Sequence, residues 1–228
     1  MPVSCSKSRL LHFRATIRRW YESNARDFPW RRKGLSSYKV LISEILLQRT
    51  RAETIASYYK TFFHKYPSWK SLSKSSNASL YASLKPIGLW RQRARTLTSL
   101  SRIMHSANGE LASSRQELEN LPGVGQYIAS AVLAIQFNKR EPLLDVNMAR
   151  LLERFFGPRK LADIRYDPYL QQLAREVLPT REIKEFNWAV LDFASAICTA
   201  RNPNHDHCPL KSRCKFQRQH HHKRKSKG

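Results

Sequence analysis

The chain has 228 residues, and 41 Lys and Arg against 17 Asp and Glu leave a formal charge of +24 at pH 7. That excess argues against a neutral metabolic enzyme and for a polyanionic partner, because each cation set against a phosphate releases a condensed counterion; an acidic membrane surface is the competing reading. With 41% hydrophobic residues there is material for a core, which excludes disorder throughout, and no run reaches the roughly 18 apolar residues of a membrane helix. Residues 1–11 lack the apolar stretch of a signal peptide, so a cytosolic protein is expected, or a nuclear one in a eukaryote.

Only 7 Gly and 11 Pro occur, and β-like runs are scarce. Apolar residues recur at helical spacing, so the fold class is read as all-α. The spacing predicts a helix over 38–48, with Val40, Leu41 and Leu47 inward, and others over 53–66, 77–84, 91–107 and 114–120. Over 126–137, Ile128, Ala131, Val132 and Ile135 fall at i, i+3, i+4 and i+7 and make one face apolar. After Asp145, Met148, Leu151, Leu152 and Phe155 repeat the spacing, and 166–178 and 184–197 follow. Breaks come at Phe28-Pro29-Trp30, Tyr66-Pro67, Lys85-Pro86-Ile87-Gly88, Leu121-Pro122-Gly123-Val124-Gly125 and around Pro158. Residues 217–228 read as a basic, disordered tail containing His220, His221 and His222, which can bind metal adventitiously.

The segment Leu121-Pro122-Gly123-Val124-Gly125-Gln126-Tyr127 lies between two predicted helices. Its glycines Gly123 and Gly125 allow positive φ and close backbone approach, and Gln126 opens the second helix, whose first N–H groups have no acceptor within the helix and are positively polarised. Together they form a seat for a phosphate, unless the segment is an ordinary helix connection. Of the four cysteines, Cys5, Cys198, Cys208 and Cys214, three fall close together near the C-terminus. In a reducing compartment such a cluster more often holds a metal than a disulfide framework.

These motifs, with Ser43-Glu44-Ile45-Leu46-Leu47-Gln48-Arg49-Thr50, Ile87-Gly88-Leu89, Gln92-Arg93-Ala94 and Leu144-Asp145-Val146-Asn147, stand in an order that resembles the helix-hairpin-helix DNA glycosylases. That family includes endonuclease III, the MutY adenine glycosylases and the MIG-type thymine mismatch glycosylases. The resemblance runs from about Trp20 to Cys214. It implies a two-lobed fold: a six-helix barrel over 30–137 bearing the hairpin, and a second lobe of 1–29 plus 138–216 bearing an iron–sulfur-type loop. The cleft between them is expected to hold Tyr127, Asp145 and Glu44.

The resemblance gives Asp145 the family aspartate's role of stabilising positive charge on the sugar; taken alone an Asp there reads first as the N-cap of the following helix, and the two roles are compatible. Lyase-competent relatives carry lysine where this chain has Tyr127. A phenol cannot form the Schiff base that leads to strand cleavage, so base removal alone is expected. Glu44 corresponds to the glutamate that protonates adenine in MutY-like enzymes; for a pyrimidine leaving as an anion it would instead hydrogen-bond the base or position water. Gln48 or Arg49 would fill the gap left by the extruded nucleotide, and Leu89 and Trp90 would wedge beside it, with Trp90 equally able to serve as core.

The cysteine end matches the family's cluster spacing except that His205 replaces the second cysteine. Cys198, His205, Cys208 and Cys214 are therefore candidate ligands for a [4Fe–4S] cluster, with zinc or no metal as alternatives and His207 in a poorer register. Lys211, Arg213 and Lys215 flank the loop and could form a second phosphate contact. The expected activity is removal of thymine or uracil opposite guanine from double-stranded DNA by a monomer, followed by a separate AP endonuclease. An adenine glycosylase acting opposite 8-oxoguanine, or an inert DNA-binding module, are the alternatives. The chain's end at 228 is read as leaving no room for the lesion-reading domain of adenine enzymes.

Overall fold

The computed structural model describes residues 6–219; Cys5 and the histidines His220, His221 and His222 lie outside the described residues. Eleven α-helices run to Ala196, a further helical turn covers residues 215–219, and short 3₁₀ turns lie at Pro29–Arg31, Lys85–Ile87 and Lys211–Arg213; no strand occurs among the described residues. The chain divides into two compact units, Asp27–Phe137 and Met1–Arg26 with Asn138–Gly228.

The contiguous unit holds α2 (Ser37–Leu47), α3 (Ala52–Lys65), α4 (Trp69–Ser73), α5 (Asn77–Leu84), α6 (Trp90–Ser106), α7 (Arg115–Glu119) and α8 (Gln126–Gln136). At its centre α2 packs on α8. Both are buried over most of their circumference, Tyr38 and Val40 through Leu46 on α2 and Ile128 through Ala134 on α8, because both are apolar on nearly every face. Serines start several of these helices. Ser36, Ser76 and Ser114 each accept from a backbone N–H one turn on, and Ser68 with Ser71 forms a reciprocal capping box.

The discontinuous unit holds α1 (Lys7–Asn24), α9 (Val146–Phe156), α10 (Pro168–Val177) and α11 (Ile183–Ala196), with α1 lying on α11 and α10. Arg14 and Arg140 both donate to the carbonyls at the C-terminal end of α10, Arg14 to Glu176, Val177 and Leu178 and Arg140 to Leu178. Guanidinium groups there complete unpaired carbonyls and suit the negative end of the helix dipole. Asp192, 1% exposed on α11, receives both the backbone N–H and the guanidinium of Arg26.

Two helices were not among those expected. The basic residues of α1 dilute its apolar pattern, and it buries only Phe13 and Ile17; α4 is too short to show a period. The first unit begins at Asp27 rather than at residue 30. Residues 215–219 are helical, so order extends into the expected disordered tail; the remainder of that tail lies outside the described residues. The cause is Phe216, which lies under the Arg154 guanidinium at 4.8 Å and stacks on His205 at 5.9 Å. No helix among the described residues is long and apolar enough to cross a membrane.

Candidate functional site

The hairpin joins α7 to α8 through a turn in which Leu121 N donates to Leu118 O and Val124 N to Leu121 O. Arg115 staples the two helices, donating to Glu119 on its own helix and to Gln126 O and Ser130 Oγ on α8. Gly123 has φ +79, and a Cβ there would stand 2.3 Å from Thr96 Cγ2, so both conformation and packing demand glycine. Gly125 differs from that expectation: its φ is −96, an ordinary extended value, and nothing stands within 4 Å of a Cβ placed on it. It is the N-cap of α8 without a side-chain cap, and the first-turn N–H groups of a helix have no acceptor within the helix itself, the setting in which an outside anion is taken. Tyr127 occupies the second position of α8, partly buried against the core of this unit.

Glu44 lies mid-way along α2 and is only 6% exposed. Burial pushes its pKa up to about 7, against the opposing influence of Arg31, so a proton is readily held or released there near neutrality. α2 ends in the turn carrying the two plug candidates, both exposed; Gln48 Nε2 donates to Gly123 O at 3.2 Å, tying this turn to the hairpin. Leu89 follows Gly88 in the other glycine-bearing turn and is 42% exposed. Trp90 is partly buried, edge-on to Tyr81 at 5.1 Å with the Arg91 guanidinium 4.1 Å over its ring, which makes it part of the scaffold behind Leu89.

In the other unit, Asp145 is the N-cap of α9. Its Oδ1 accepts from the backbone N–H of Asn147 and of Met148, and its Oδ2 accepts from Asn147 Nδ2. Burial raises its pKa, while these donors and the charge of Arg150 pull it back, so opposing influences poise the carboxylate. Capping and catalysis are compatible here, since the cap fixes the side chain. The approach to Asp145 is held by Asn187, which accepts from Leu143 N and donates to Glu141 O and Ile183 O.

Arg150, one turn along α9, links this carboxylate to the cysteine loop. It donates to Asn147 Oδ1 at 3.1 Å, to Cys198 O at 2.7 Å and to Ala194 O at 2.9 Å. Arg154 continues the series to the carbonyls of Thr199 and Ala200 and to Cys198 Sγ.

Cys198, His205, Cys208 and Cys214 all line one small cavity, with Leu151, Phe155 and Leu210 among its apolar walls. The three cysteines are free thiols, and burial together with the neighbouring sulfurs pushes Cys208 up to about 11. Among the described residues no three His, Cys, Asp or Glu side chains converge on a point that one ion could occupy. His207 engages Asn204 instead, with its Nδ1 3.0 Å from Asn204 Oδ1 and its ring exposed.

Residues 42–179 match the model of the HhH-GPD superfamily of base excision DNA repair proteins, and residues 198–214 match the iron-sulfur binding domain of endonuclease III. The chain is 39% identical over 203 residues to a thymine/uracil-DNA glycosylase of Pyrobaculum aerophilum, spanning 87% of this chain and 88% of that protein. It is 35% identical over 213 residues to a thymine-DNA glycosylase of Aeropyrum pernix, spanning 91% and 95%. The solved structure of a thermostable thymine-DNA glycosylase matches with a TM-score of 0.88 at 31% identity, over 94% of this chain and 99% of that one. The chain therefore belongs to the HhH-GPD superfamily of base excision DNA repair glycosylases.

Sequence reasoning assigned no role to Arg93, Asn147, Arg150 or Arg154. Arg93 and Asn147 stand inside the Gln92-Arg93-Ala94 and Leu144-Asp145-Val146-Asn147 motifs, but among 41 Lys and Arg no arginine is conspicuous, and an Asn two residues after an Asp reads as simple helix-start chemistry.

Proposed function

We propose that this glycosylase removes thymine or uracil paired with guanine and leaves the strand uncut. The observation that carries the reading is Tyr127 in the first turn of α8, where the resemblance places a lysine in strand-cutting relatives. Likeness to proteins named thymine/uracil-DNA and thymine-DNA glycosylases supports the substrate.

In this reading the N-glycosidic bond breaks with its electron pair leaving on the pyrimidine, whose carbonyls delocalise the charge. Ionised Asp145 stabilises the electron-poor sugar, and water adds at the anomeric carbon, oriented by the Glu44 carboxylate and losing its proton to it. Tyr127 offers no amine to trap the sugar. Gln48 or Arg49 fills the vacated position, Leu89 wedges beside it, and the N–H groups at Gly125 and Gln126 with the Gly123 turn seat a backbone phosphate. The abasic product passes to a separate AP endonuclease, and the enzyme acts as a monomer.

Cys198, Cys208 and Cys214 would hold a [4Fe–4S] cluster with His205 as fourth ligand. When bound, the cluster supplies a rigid cross-link that fixes the loop bearing Lys211, Arg213 and Lys215 for phosphate contact.

End-labelled duplexes carrying T·G, U·G, A·G or A·8-oxoguanine test this. Breakage at T·G and U·G only after alkali is expected; breakage without alkali, or confined to adenine strands, overturns it. An adenine glycosylase is the second reading, favoured by the neutral-range pKa of Glu44, which suits protonation of a departing purine.

A further inference from the structure

Arg93 is 3% exposed, and burial lowers its pKa. Its fork is spent on two turns about 40 residues apart in sequence. Nη1 donates to Ile87 O at 2.7 Å and to Gly88 O at 2.5 Å; Nη2 donates to Leu46 O at 2.9 Å and lies 2.7 Å from both Gln48 O and Thr50 Oγ1. Thr50 Oγ1 adds a direct cross-link, donating to Ile87 O at 3.3 Å. Burying a guanidinium is expensive and is tolerated only where its donors find acceptors. Here the acceptors of both terminal nitrogens are oxygens of two loops, while Nε stays buried without one, so the side chain is held for its fork alone.

Each clamped turn carries one strained residue. Arg49 has φ +54 and Leu89 φ +50, and each directly follows a carbonyl that Arg93 holds. Left-handed backbone costs a residue with a side chain about 1 kcal/mol or more and persists only where surroundings impose it. Two of the other three such residues, Asn108 and Asn138, are of the type that tolerates the conformation; Arg49 and Leu89 are not. Both are exposed.

We propose that Arg93 is a positioning residue that locks the Gln48–Thr50 turn and the Ile87–Leu89 turn into one rigid two-pronged wedge, so that gap-filling and base-wedging groups enter the duplex together. The inference rests on the extrusion step of the proposed function. It separates an insertion defect from a folding defect, because the clamped groups are turn carbonyls next to the prongs.

Arg93→Lys tests it: the charge stays but a point ammonium cannot reach both turns. Excision of uracil is measured in single turnover from a U·G duplex and from the same duplex with the uracil opposite an abasic site, where no guanine must be displaced. Uptake of 2-aminopurine fluorescence beside the uracil reports extrusion without catalysis. We expect at least an about tenfold loss on U·G, a change within about twofold opposite the abasic site, and loss of the fluorescence rise. Equal losses on both substrates, or an undiminished fluorescence rise, overturn the inference. If Arg93→Lys does not fold, Thr50→Ala removes one cross-link and is expected to show the same substrate-selective loss at smaller size; equal losses again overturn it. A wild-type protein that gives the fluorescence rise but excises no uracil refutes the proposed substrate and leaves the clamp testable by fluorescence alone.

Discussion

Asn147 donates its side-chain amide to Oδ2 of Asp145 at 2.6 Å, while its own backbone N–H caps Oδ1 of the same carboxylate at 2.9 Å. One residue thus fixes both oxygens of the proposed catalytic group. Asp145→Asn should abolish base release while duplex affinity stays within about twofold, because the carboxylate acts on charge that exists only in the transition state. Asn147→Ala leaves Oδ2 without this donor while two backbone N–H groups still hold Oδ1, so single-turnover excision should fall about tenfold with little change in affinity. Fluorescence anisotropy on a mismatched duplex separates the two quantities.

Glu44 should weaken the fold it belongs to. Its pKa lies at about 7 in the folded chain against an ordinary 4.5, so its contribution to stability is full below about pH 4.5 and is lost as pH rises through 7. Glu44→Gln escapes that loss, and thermal unfolding at pH 8 should show it more stable by up to about 3 kcal/mol, with the gap closing near pH 4. The same variant should lose the inflection near pH 7 in the single-turnover rate, wild-type excision falling below that pH as the carboxylate protonates.

Tyr127→Lys should create a covalent path. Borohydride added during reaction reduces a Schiff base to a stable cross-link, so the wild type should give no trapped complex and the lysine variant should give one, with strand breakage before alkali. Trapping of the wild type would refute the monofunctional reading.

The cysteine loop should carry a visible charge-transfer band when purified without oxygen. Electron-nuclear spectroscopy of the reduced cluster should show a ¹⁴N coupling that His205→Cys removes. Stripping the iron with a chelator should lower both the melting temperature and the rate of base release, because Arg150 and Arg154 anchor on the carbonyls of Cys198, Thr199 and Ala200. Absence of the ¹⁴N coupling would remove His205 from the ligand set.

The two hairpin glycines should respond oppositely to alanine. At Gly123 the added methyl meets Thr96 at 2.3 Å on a left-handed backbone, a cost of about 2–4 kcal/mol readable in denaturant unfolding. At Gly125 stability should hold within about 0.5 kcal/mol while duplex affinity drops, since the methyl grows into the space before the α8 N-terminus.

Most of the helical architecture was legible because its apolar periods are long and its breaks are sharp. The helices at 77–84 and 126–137 were placed to within a residue of those observed. Glu44 stood out as a carboxylate between Leu41 and Leu47 and the hairpin as a glycine-bearing break between helices, whereas Asp145 was singled out only by the resemblance, since an Asp opening a helix is by itself an ordinary cap. What escaped was α1, whose cations blur its period, and the arginines that hold the sites. An arginine donating to main-chain carbonyls leaves no complementary acidic residue in the sequence to mark its partner, as Arg93, Arg150 and Arg154 all demonstrate.

The unit built from both chain ends has a bearing on biosynthesis. α1 is synthesised well before the surfaces it covers, which belong to α10 and α11. The Asp27–Phe137 segment is complete long before then and can fold on arrival. Until α10 and α11 are made, α1 waits with Phe13 and Ile17 uncovered, which makes its cationic, water-loving outer face a safeguard against premature association.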